Sequence, residues 1–441
     1  MAQIHVERRA RFMAAIEGGA ALVVSHPEMI RNNDTLHEYR ASSDLYYLSG
    51  FEEPEAALLL VPGHEEHRFV MFVRPRDPER EVWTGRRAGV EGASALFGAE
   101  AAFPIGELDA TLPKYLDGVE RLFVNLGQDP KRDDLALQMI HRTRRGTRAA
   151  VAGPSALADA AQILHEMRLR KDTLEVENLE RAARISAAAH RAAMEAVRPG
   201  LYEYELQAVV EYALRRGGCH RWGFPSIVGA GPNATVLHYE SNSRQIQDGD
   251  LVLIDAAGEW GYMSADITRT FPASGRFSPA QRKLYDIVLR AEKEAIGRCR
   301  PGSSLQEAHD AAVRVLVEGM VEVGLLEGDP QTLVGEEGYK RYYMHKTSHW
   351  LGMDVHDVGR YFSGGSPRAL EPGMALTVEP GLYVAEDDPK APPEFRGIGI
   401  RIEDDVLITE SGNRILTSGV PNEADEVEAL CGTRPLGPLS F

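Results

Sequence analysis

The sequence predicts a two-domain protein in which an α/β domain is followed by an α+β domain. The chain has 441 residues, which is more than one hydrophobic core usually holds. Up to about residue 165, short apolar runs alternate with a helical segment and turn residues, whereas from residue 166 long helical segments precede pairs of apolar runs. We therefore predict a first domain at residues 1–165 and a second at residues 166–441.

The first domain is predicted to contain one helix and four strands. Helical spacing extends over His5–Ile16. Residues 31–51 are rich in Tyr, Asp and Arg and show little strand pattern, so we predict a long loop that is either surface or part of a site. The apolar runs predicted as strands are Ala21–Val24, Ala57–Val61, Phe69–Val73 and Leu122–Val124.

The second domain is predicted to begin with helices. Asp172 is suited to cap a helix whose Ala-rich spacing covers Leu174–Val197. Pro279 is suited to the first turn of another helix. The further helices are predicted at Glu203–Arg216, Ser278–Arg298 and Leu305–Val323.

Two stretches of the second domain repeat one pattern that ends in an acid. Gly249–Asp255 and Gly373–Glu379 each place an acid six positions after a glycine, with an apolar run between them. A second acid follows each: Asp266 before Ile-Thr-Arg-Thr-Phe, and Glu403 inside the apolar strand that begins at Gly-Ile-Arg-Ile. The pattern indicates a weak internal duplication that gathers four carboxylates in one site.

Four carboxylates on buried strands favour a metal site. A buried carboxylate is costly unless it is paired or binds a metal, and neighbouring carboxylates repel one another. One such acid alone is equally well explained by a salt bridge. Four negative charges match two divalent cations, and oxygen ligands suit Mn, Mg or Fe(II) better than a zinc–thiolate site does. Strand alternation also puts Arg401 beside Glu403, on the side of the site.

Histidines are dense near the second repeat. His345, His349 and His356 fall within twelve residues, and His238 follows the turn Gly-Pro-Asn. The glycines and serine among them favour loop or strand over helix, and each histidine alone is more often a hydrogen-bonded structural residue. The chain has no HExxH, no Walker A loop and no GxSxG elbow.

The composition of the chain excludes some classes of binding partner and indicates a cellular location. The net charge of −17 argues against a nucleic-acid or anionic-membrane partner. The three cysteines form no CxxC pair, which favours a reducing compartment and a cytoplasmic location. The N-terminus lacks the pattern of a signal peptide, and no apolar run approaches the ~20 residues that a membrane span needs.

The residues around these acids resemble the metal-dependent pita-bread peptidases. Over nearly the whole chain the sequence is similar to the Xaa-Pro aminopeptidase (aminopeptidase P) family of the bacterial type. The similarity is carried by SHWLGMDVHDVG around His349, TVEPGLY around Glu379, GIGIRIEDD around Glu403, YRASSDLYYLSGF from Tyr39 and HEMRLRKD from His165. The resemblance implies a creatinase-like N-terminal domain followed by a C-terminal pita-bread catalytic domain with internal pseudo-symmetry.

The resemblance also implies a centre of two divalent metal ions, usually Mn²⁺. In such a centre Asp255 binds one ion, Asp266 and Glu403 bridge both ions, and His349 and Glu379 complete the other. The resemblance further implies three histidines around the substrate: His238, His345 and His356. It implies that Arg401 lies behind the site, paired with Asp34. It also implies contacts with the substrate or a partner subunit at Tyr383, Arg148 and Trp83.

The activity implied is release of the N-terminal residue from peptides with proline in the second position. A hydroxide shared by two metals would attack the carbonyl of the first residue, with His356 or His238 helping to stabilise the oxyanion. Glu379 would pass a proton to the proline nitrogen. The implied partners are proline-containing peptides and further copies of the chain in a dimer or tetramer, with no nucleic acid and no membrane.

Several alternatives stay open at this point. A prolidase, which cuts only Xaa-Pro dipeptides, would share all five ligands. Methionine aminopeptidases share the catalytic fold but usually lack so large an N-terminal domain, and a creatinase lacks this set of acids. Pita-bread domains also serve as non-catalytic binding modules, which typically lose ligands that this chain keeps.

Overall fold

The computed structural model describes residues 3–127, 129–146 and 153–434, which form two compact units. The first unit ends at Met167 and the second begins at Arg168. The division predicted from the sequence lies two residues earlier, between residues 165 and 166. Each unit buries an apolar core of its own.

The first unit is built on a mixed sheet. The strands are β1 (Gly19–Val24), β2 (Ile30–Asn32), β3 (Thr35–Leu36), β4 (Ala57–Leu60), β5 (Phe69–Val73), β6 (Ala101–Pro104), β7 (Arg121–Val124) and β8 (Ala156–Asp159). Six of them form one sheet in the order β6-β5-β4-β1-β7-β8, in which β4 alone is antiparallel to both of its neighbours. The helices up to residue 169 are α1 (Gln3–Ala15), α2 (Ser43–Ser49), α3 (Pro78–Thr84), α4 (Gly89–Phe97), α5 (Leu108–Tyr115), α6 (Pro130–Gly146) and α7 (Ala161–Leu169).

The α/β class predicted for this part of the chain is confirmed, as are its four strands and first helix. The prediction of a long loop at residues 31–51 is wrong in part, because β2 and β3 form a hairpin and α2 is a mostly buried helix. Local signals mark that helix, since Ser42 precedes it and Gly50 ends it with φ +69°. The strands β6 and β8 contain no β-branched residue and only one aromatic residue between them, so their strand propensity is weak.

The second unit combines long helices with small antiparallel sheets. Its helices are α8 (Thr173–Ala196), α9 (Glu203–Gly217), α10 (Pro279–Arg298), α11 (Leu305–Glu322), α12 (Pro330–Gly335) and α13 (Ala424–Leu430). Its strands are β9 (Arg221–Trp222), β10 (Ile227–Ala230), β11 (Leu251–Asp255), β12 (Gly258–Trp260), β13 (Met263–Ser264), β14 (Thr268–Pro272), β15 (Phe362–Ser363), β16 (Ser366–Pro367), β17 (Ala375–Val378), β18 (Gly381–Val384), β19 (Ile398–Arg401), β20 (Asp404–Ile408) and β21 (Asn413–Ile415).

The predicted caps are present at these helices. The Asp172 side chain accepts a hydrogen bond from the Glu175 amide, and the Glu175 side chain returns one to Asp172. Ser278 and Gln281 make the same reciprocal pair at α10, where Pro279 occupies the first turn as expected. These caps satisfy amide groups that have no partner inside the helix, and so they fix where α8 and α10 begin.

The predicted duplication is visible in the strand pairing. β11 pairs antiparallel with β14, and β17 pairs antiparallel with β20. The glycine before each first strand has positive φ, +83° at Gly249 and +88° at Gly373, a conformation that favours glycine. A backbone bridge between Thr268 and Glu403 joins the two pairs. The two halves therefore meet where their acids lie.

Two further features bear on the sequence predictions. The cysteines Cys219, Cys299 and Cys431 are all unpaired. None of the helices in the described ranges has both the length and the apolar character that a membrane span requires.

Candidate metal centre

The five predicted ligands lie at strand ends and in one loop of the second unit. Asp255 is the last residue of β11, and Asp266 comes two residues before β14. Glu379 directly follows β17, and Glu403 lies between β19 and β20 rather than inside one strand as predicted. His349 lies in an irregular segment, consistent with the expected loop. Strand ends place these side chains at the edge of each small sheet, where those of Asp255, Asp266 and Glu403 are still buried.

Three of these side chains converge closely. One ligand atom each from Asp266, His349 and Glu403 lies within 4.8 Å of the other two. His349 Nε2 is 3.4 Å from Asp266 Oδ2 and 3.6 Å from Glu379 Oε1. Nδ1 of the same ring is 2.9 Å from the Trp350 carbonyl oxygen, to which it donates, so Nε2 presents its lone pair to the acids.

Asp255 joins the group from the same repeat as Asp266. Its Oδ2 accepts a hydrogen bond from Arg401 Nη2 at 2.6 Å. Its Oδ1 is buried and has no hydrogen-bond partner within the part of the chain that the structure describes. A buried carboxylate oxygen without a donor is unfavourable in water-free surroundings. A cation at this point would satisfy it, so the residues fit a metal site.

The electrostatics of the group also fit cations. Burial, followed by the charges of Asp255 and other nearby acids, raises the pKa of Asp266 well above its usual range. Burial and then Asp266, Glu379 and Asp255 do the same to the pKa of Glu403. Burial likewise raises the pKa of Glu379. These acids destabilise one another unless positive charge lies between them.

Polar groups behind the acids fix their orientation. Thr268 Oγ1 donates to Glu403 Oε2 at 2.6 Å and accepts from Arg401 Nε at 3.0 Å. Asp405 Oδ2 accepts the backbone N–H of Asp266 at 3.1 Å. The Glu403 carboxylate and the Asp266 backbone are therefore each held by a neighbouring group.

The other predicted histidines surround this group. His345 Nδ1 lies 3.7 Å from Glu379 Oε2, and its Nε2 lies 2.9 Å from the hydroxyl of Tyr383. The rings of His349 and His356 meet edge to face with centroids 4.4 Å apart. Burial and then Arg401 lower the pKa of His345 to about 4, so the ring is neutral near pH 7.

His356 and His238 are exposed at the rim of the site. Burial of part of the ring lowers the pKa of His356, and His349 and His238 add to this effect. His238 also contributes to the lowered pKa of His345. The two exposed histidines therefore lie within electrostatic reach of the centre.

The remaining predicted residues lie in different parts of the chain, and one of them is outside the described residues. Arg401 donates to Asp255, Thr268 and Tyr383, all in the second unit. Tyr383 is buried, with its hydroxyl between Arg401 and His345. Asp34 and Trp83 are exposed in the first unit, and Trp83 is 87% exposed. Arg148 lies outside the described residues. The roles predicted for these residues stay predictions.

Sequence reasoning missed the groups that hold the ligands in place. Thr268 and Asp405 were not singled out, although the motif around Glu403 ends in two further acids. The Asp357 carboxylate was missed as well; it bonds Arg168 at 2.6 Å and Lys171 at 2.7 Å in a buried cluster beside His356. Thr268 is a threonine in an apolar strand, and Arg168 and Lys171 are basic residues near the start of a helix. Both features are common in sequences, so only the folded structure shows which residues they contact.

Three converging ligands with two further carboxylates beside them form a donor set that is dominated by hard oxygen atoms. Such a set suits one or two divalent cations such as Mn²⁺, Mg²⁺ or Fe²⁺. The histidines at the rim can form hydrogen bonds with a polar substrate. The arrangement is therefore suited to metal-assisted hydrolysis.

Comparison with known families matches both units. A family model described as metallopeptidase family M24 matches residues 177–410. A second, described as the aminopeptidase P N-terminal domain, matches residues 5–123. The first match contains all five predicted ligands.

Individual relatives match over almost their full length. A Xaa-Pro aminopeptidase of Escherichia coli (strain K12) is 43% identical over 414 residues, which cover 94% of this chain and 93% of the relative. The structure of Pseudomonas aeruginosa aminopeptidase PepP has a TM-score of 0.95 at 48% identity and covers 97% of both chains. A Zn-substituted E. coli aminopeptidase P in complex with product has a TM-score of 0.93 at 42% identity, again over 97% of both.

Proposed function

Because this chain belongs to metallopeptidase family M24, with the N-terminal domain of aminopeptidase P before the catalytic part, we propose that it releases the first residue from peptides with proline in the second position. The chain is a metallopeptidase hydrolase similar over its length to Xaa-Pro aminopeptidases. The observation that carries the proposal is the convergence of Asp266, His349 and Glu403, with Asp255 and Glu379 at their side.

We assign the metal ligands residue by residue. Asp255 would bind one ion, Asp266 and Glu403 would lie between both ions, and His349 with Glu379 would complete the other. The unsatisfied Oδ1 of Asp255 and the mutual repulsion of the acids support this assignment. We propose two divalent ions, most readily Mn²⁺, because two ions balance four carboxylates in an oxygen-rich site.

When bound, two such ions supply a water of lowered pKa that can act as nucleophile near neutral pH. The residues of the chain orient the rest of the reaction. Glu379 is suited to move a proton at Oε2, the carboxylate oxygen nearest to His345, from the attacking water to the proline nitrogen. This transfer matters because an imide nitrogen leaves as an amine only after it gains a proton.

The exposed histidines are suited to donate a hydrogen bond to the carbonyl oxygen of the substrate. His356 and His238 are exposed at the rim, where a ring N–H can donate to the developing oxyanion. His345 is held by a chain of hydrogen bonds: Arg401 donates to the Tyr383 hydroxyl at 3.2 Å, and that hydroxyl lies 2.9 Å from His345 Nε2. Donation of Nδ1 to the Lys346 carbonyl at 2.8 Å fixes the tautomer. Tyr383 and Arg401 thus act through His345 and Asp255.

A prolidase is the nearest alternative, since it would share the ligands. The two are separated by offering an Xaa-Pro-Xaa tripeptide and an Xaa-Pro dipeptide to the purified protein loaded with Mn²⁺. Cleavage of the tripeptide at its first bond supports the proposal, and cleavage of the dipeptide alone supports the prolidase. The absence of turnover on both, in protein that holds metal, would favour a binding module.

We also propose that the chain forms a homo-oligomer and is cytoplasmic. The short helix α3 has no buried residue, and Val82 and Trp83 on it are 82% and 87% exposed. Contact with a second copy would cover this apolar surface, and Trp83 could then touch that copy or its substrate. Arg148 remains a proposed contact of the same kind, and Asp34 remains a proposed contact of the substrate. Three unpaired cysteines agree with a reducing compartment.

A further inference from the structure

One buried carboxylate organises the loop that carries His238. Glu203 lies in the first turn of α9 and is fully buried. Its Oε1 accepts from the Ala230 backbone N–H at 2.8 Å and from Asn233 Nδ2 at 2.9 Å. Its Oε2 accepts from the Tyr239 hydroxyl at 2.9 Å and from the Arg244 backbone N–H at 2.8 Å. All four donors come from residues 230–244.

These bonds span the loop at both ends and in the middle. Ala230 is the last residue of β10, Tyr239 is next to His238, and Arg244 closes the segment; the backbone N–H of Glu203 also donates to the Arg244 carbonyl at 3.0 Å. The opposite side of the loop packs on β19, where a Cβ added at Gly399 would lie 2.1 Å from the Ala234 carbonyl oxygen. The loop is therefore clamped between one carboxylate and the strand that ends in Arg401.

We propose that Glu203 is a positioning residue that sets the place of His238 at the metal centre. The inference deepens the proposed function and rests on it, because His238 is the group through which Glu203 would act on the substrate. The hydrogen bonds of the Glu203 side chain within the described part of the chain go to Ala230, Asn233, Tyr239 and Arg244, none of which is a predicted metal ligand. The loop has no regular strand or long helix to hold it, so its conformation depends on side-chain acceptors such as this one.

The hydrogen-bond pattern explains why an acid is needed. A carboxylate accepts at both oxygens, whereas a glutamine presents one oxygen and one NH₂ group. In Glu203→Gln, the NH₂ group faces either the Ala230 N–H or the Arg244 N–H, whichever way the amide is turned. The Tyr239 hydroxyl can rotate to accept, but a backbone N–H cannot. At least one backbone hydrogen bond is therefore lost without a change in side-chain volume.

The first test is hydrogen exchange of the full-length, metal-free protein. Glu203→Gln should lose protection in peptides that cover residues 230–244 and keep it elsewhere. The matched control is Glu205→Gln in the same turn, where the side chain accepts from the Tyr202 amide in an N-terminal cap that glutamine also makes. Unchanged protection in the loop of Glu203→Gln, or an equal loss throughout the protein, would overturn the proposal.

The second test asks whether Glu203 acts through His238. In the Mn²⁺-loaded protein, Glu203→Gln should lower kcat on an Xaa-Pro-Xaa peptide by about tenfold, the effect of one misplaced buried hydrogen bond. In a His238→Ala background the same substitution should leave kcat close to that of His238→Ala alone. An equal additional loss in both backgrounds would mean a merely structural role and would contradict the inference.

Tyr239→Phe serves if Glu203→Gln fails to fold. It removes one donor to Oε2, so it should cause a smaller loss of exchange protection in the loop and a smaller decrease of kcat. The decrease of kcat should be absent in a His238→Ala background. If neither exchange nor kcat changed, the proposal would be refuted. The exchange arm needs neither metal nor substrate. A wild-type protein that does not cleave Xaa-Pro-Xaa would therefore refute the proposed function while loop exchange still decides the role of Glu203.

Discussion

The Arg401 guanidinium donates to one oxygen of Asp255 at 2.6 Å and leaves the other oxygen of that carboxylate buried with no donor among the described residues. The pair therefore neutralises only part of the charge at the centre of the second unit. Tyr383, Asp255 and Glu403 raise the pKa of Arg401 well above its usual range against the opposing effect of burial, so the residue stays charged. The open oxygen of Asp255 is the point at which a cation is needed.

Arg401→Met should destabilise the metal-free protein and change its affinity for Mn²⁺, because a positive charge beside the acids and the hydrogen bond that orients Asp255 are both lost. The substitution leaves Asp255 buried beside the other acids without its partner, which typically costs about 3 kcal/mol in free energy of unfolding. Calorimetric titration with Mn²⁺ and urea unfolding of the metal-free protein measure the two effects. Arg414→Met is the control, because its exposed ion pair with Glu180 contributes little. Wild-type Mn²⁺ affinity in Arg401→Met would contradict the role given to this arginine.

Asp266→Asn should stabilise the metal-free protein and abolish turnover. Asp255, Asp405 and Glu379 repel the buried Asp266 carboxylate, and an amide of the same shape removes that repulsion. Metal-free Asp266→Asn should therefore unfold at a higher temperature than metal-free wild type, while added Mn²⁺ should raise the unfolding temperature of wild type only. Asp286→Asn, on the exposed face of α10, should change neither. A lower unfolding temperature for metal-free Asp266→Asn would refute the crowding argument.

Removal of metal should abolish activity reversibly. The ligands are held by Thr268, Asp405 and backbone groups, so the site should persist without its ions and accept them again. Dialysis against a chelator should end cleavage of an Xaa-Pro-Xaa peptide, and Mn²⁺ should restore it. Far-UV circular dichroism before and after serves as the control for unfolding. Turnover that is indifferent to chelation, in protein shown to be free of metal, would count against the whole assignment.

His309 should make stability fall at mildly acidic pH. Burial, with Lys346 adding to it, lowers the pKa of His309 from 6.5 to about 4. Below pH 6.5 the unfolded chain binds a proton that the folded protein takes up only near pH 4, so the free energy of unfolding decreases as pH falls through this window. The decrease amounts to at most about 3 kcal/mol.

His309→Gln tests this dependence and keeps a polar group near Thr347, whose hydroxyl lies 2.8 Å from His309 Nδ1. Urea unfolding of the metal-free proteins between pH 7 and pH 4.5 should show a shallower loss in His309→Gln than in wild type. His141→Gln, an exposed position on α6, should follow wild type. Equal slopes for His309→Gln and wild type would show that the ring does not stay neutral.

Much of the fold and of the site follows from local sequence. The strands β11 and β17 were predictable because each carries an apolar run after a glycine turn, and α8 because Asp172 and Glu175 cap it. The four acids were predictable as a group because the duplicated context makes single salt bridges an unlikely common explanation. The class of each domain and the family were also correct.

What the sequence could not provide are the long-range partners. Thr268 meets Glu403 across 135 positions, and Glu203 meets Tyr239 and Arg244 in a segment without any regular pattern. The helix α2 was missed because its apolar face is only two turns long and lies in a polar stretch. Such features depend on tertiary packing, which overrides weak local preferences.

The most direct measurement is anomalous scattering from crystals of the full chain grown with Mn²⁺, with data collected on both sides of the manganese absorption edge. We expect two manganese peaks enclosed by Asp255, Asp266, His349, Glu379 and Glu403, with Asp266 and Glu403 between them and Asp255 Oδ1 directed at one peak. Peaks elsewhere in the molecule, or none at these five residues in protein that cleaves Xaa-Pro-Xaa, would contradict it.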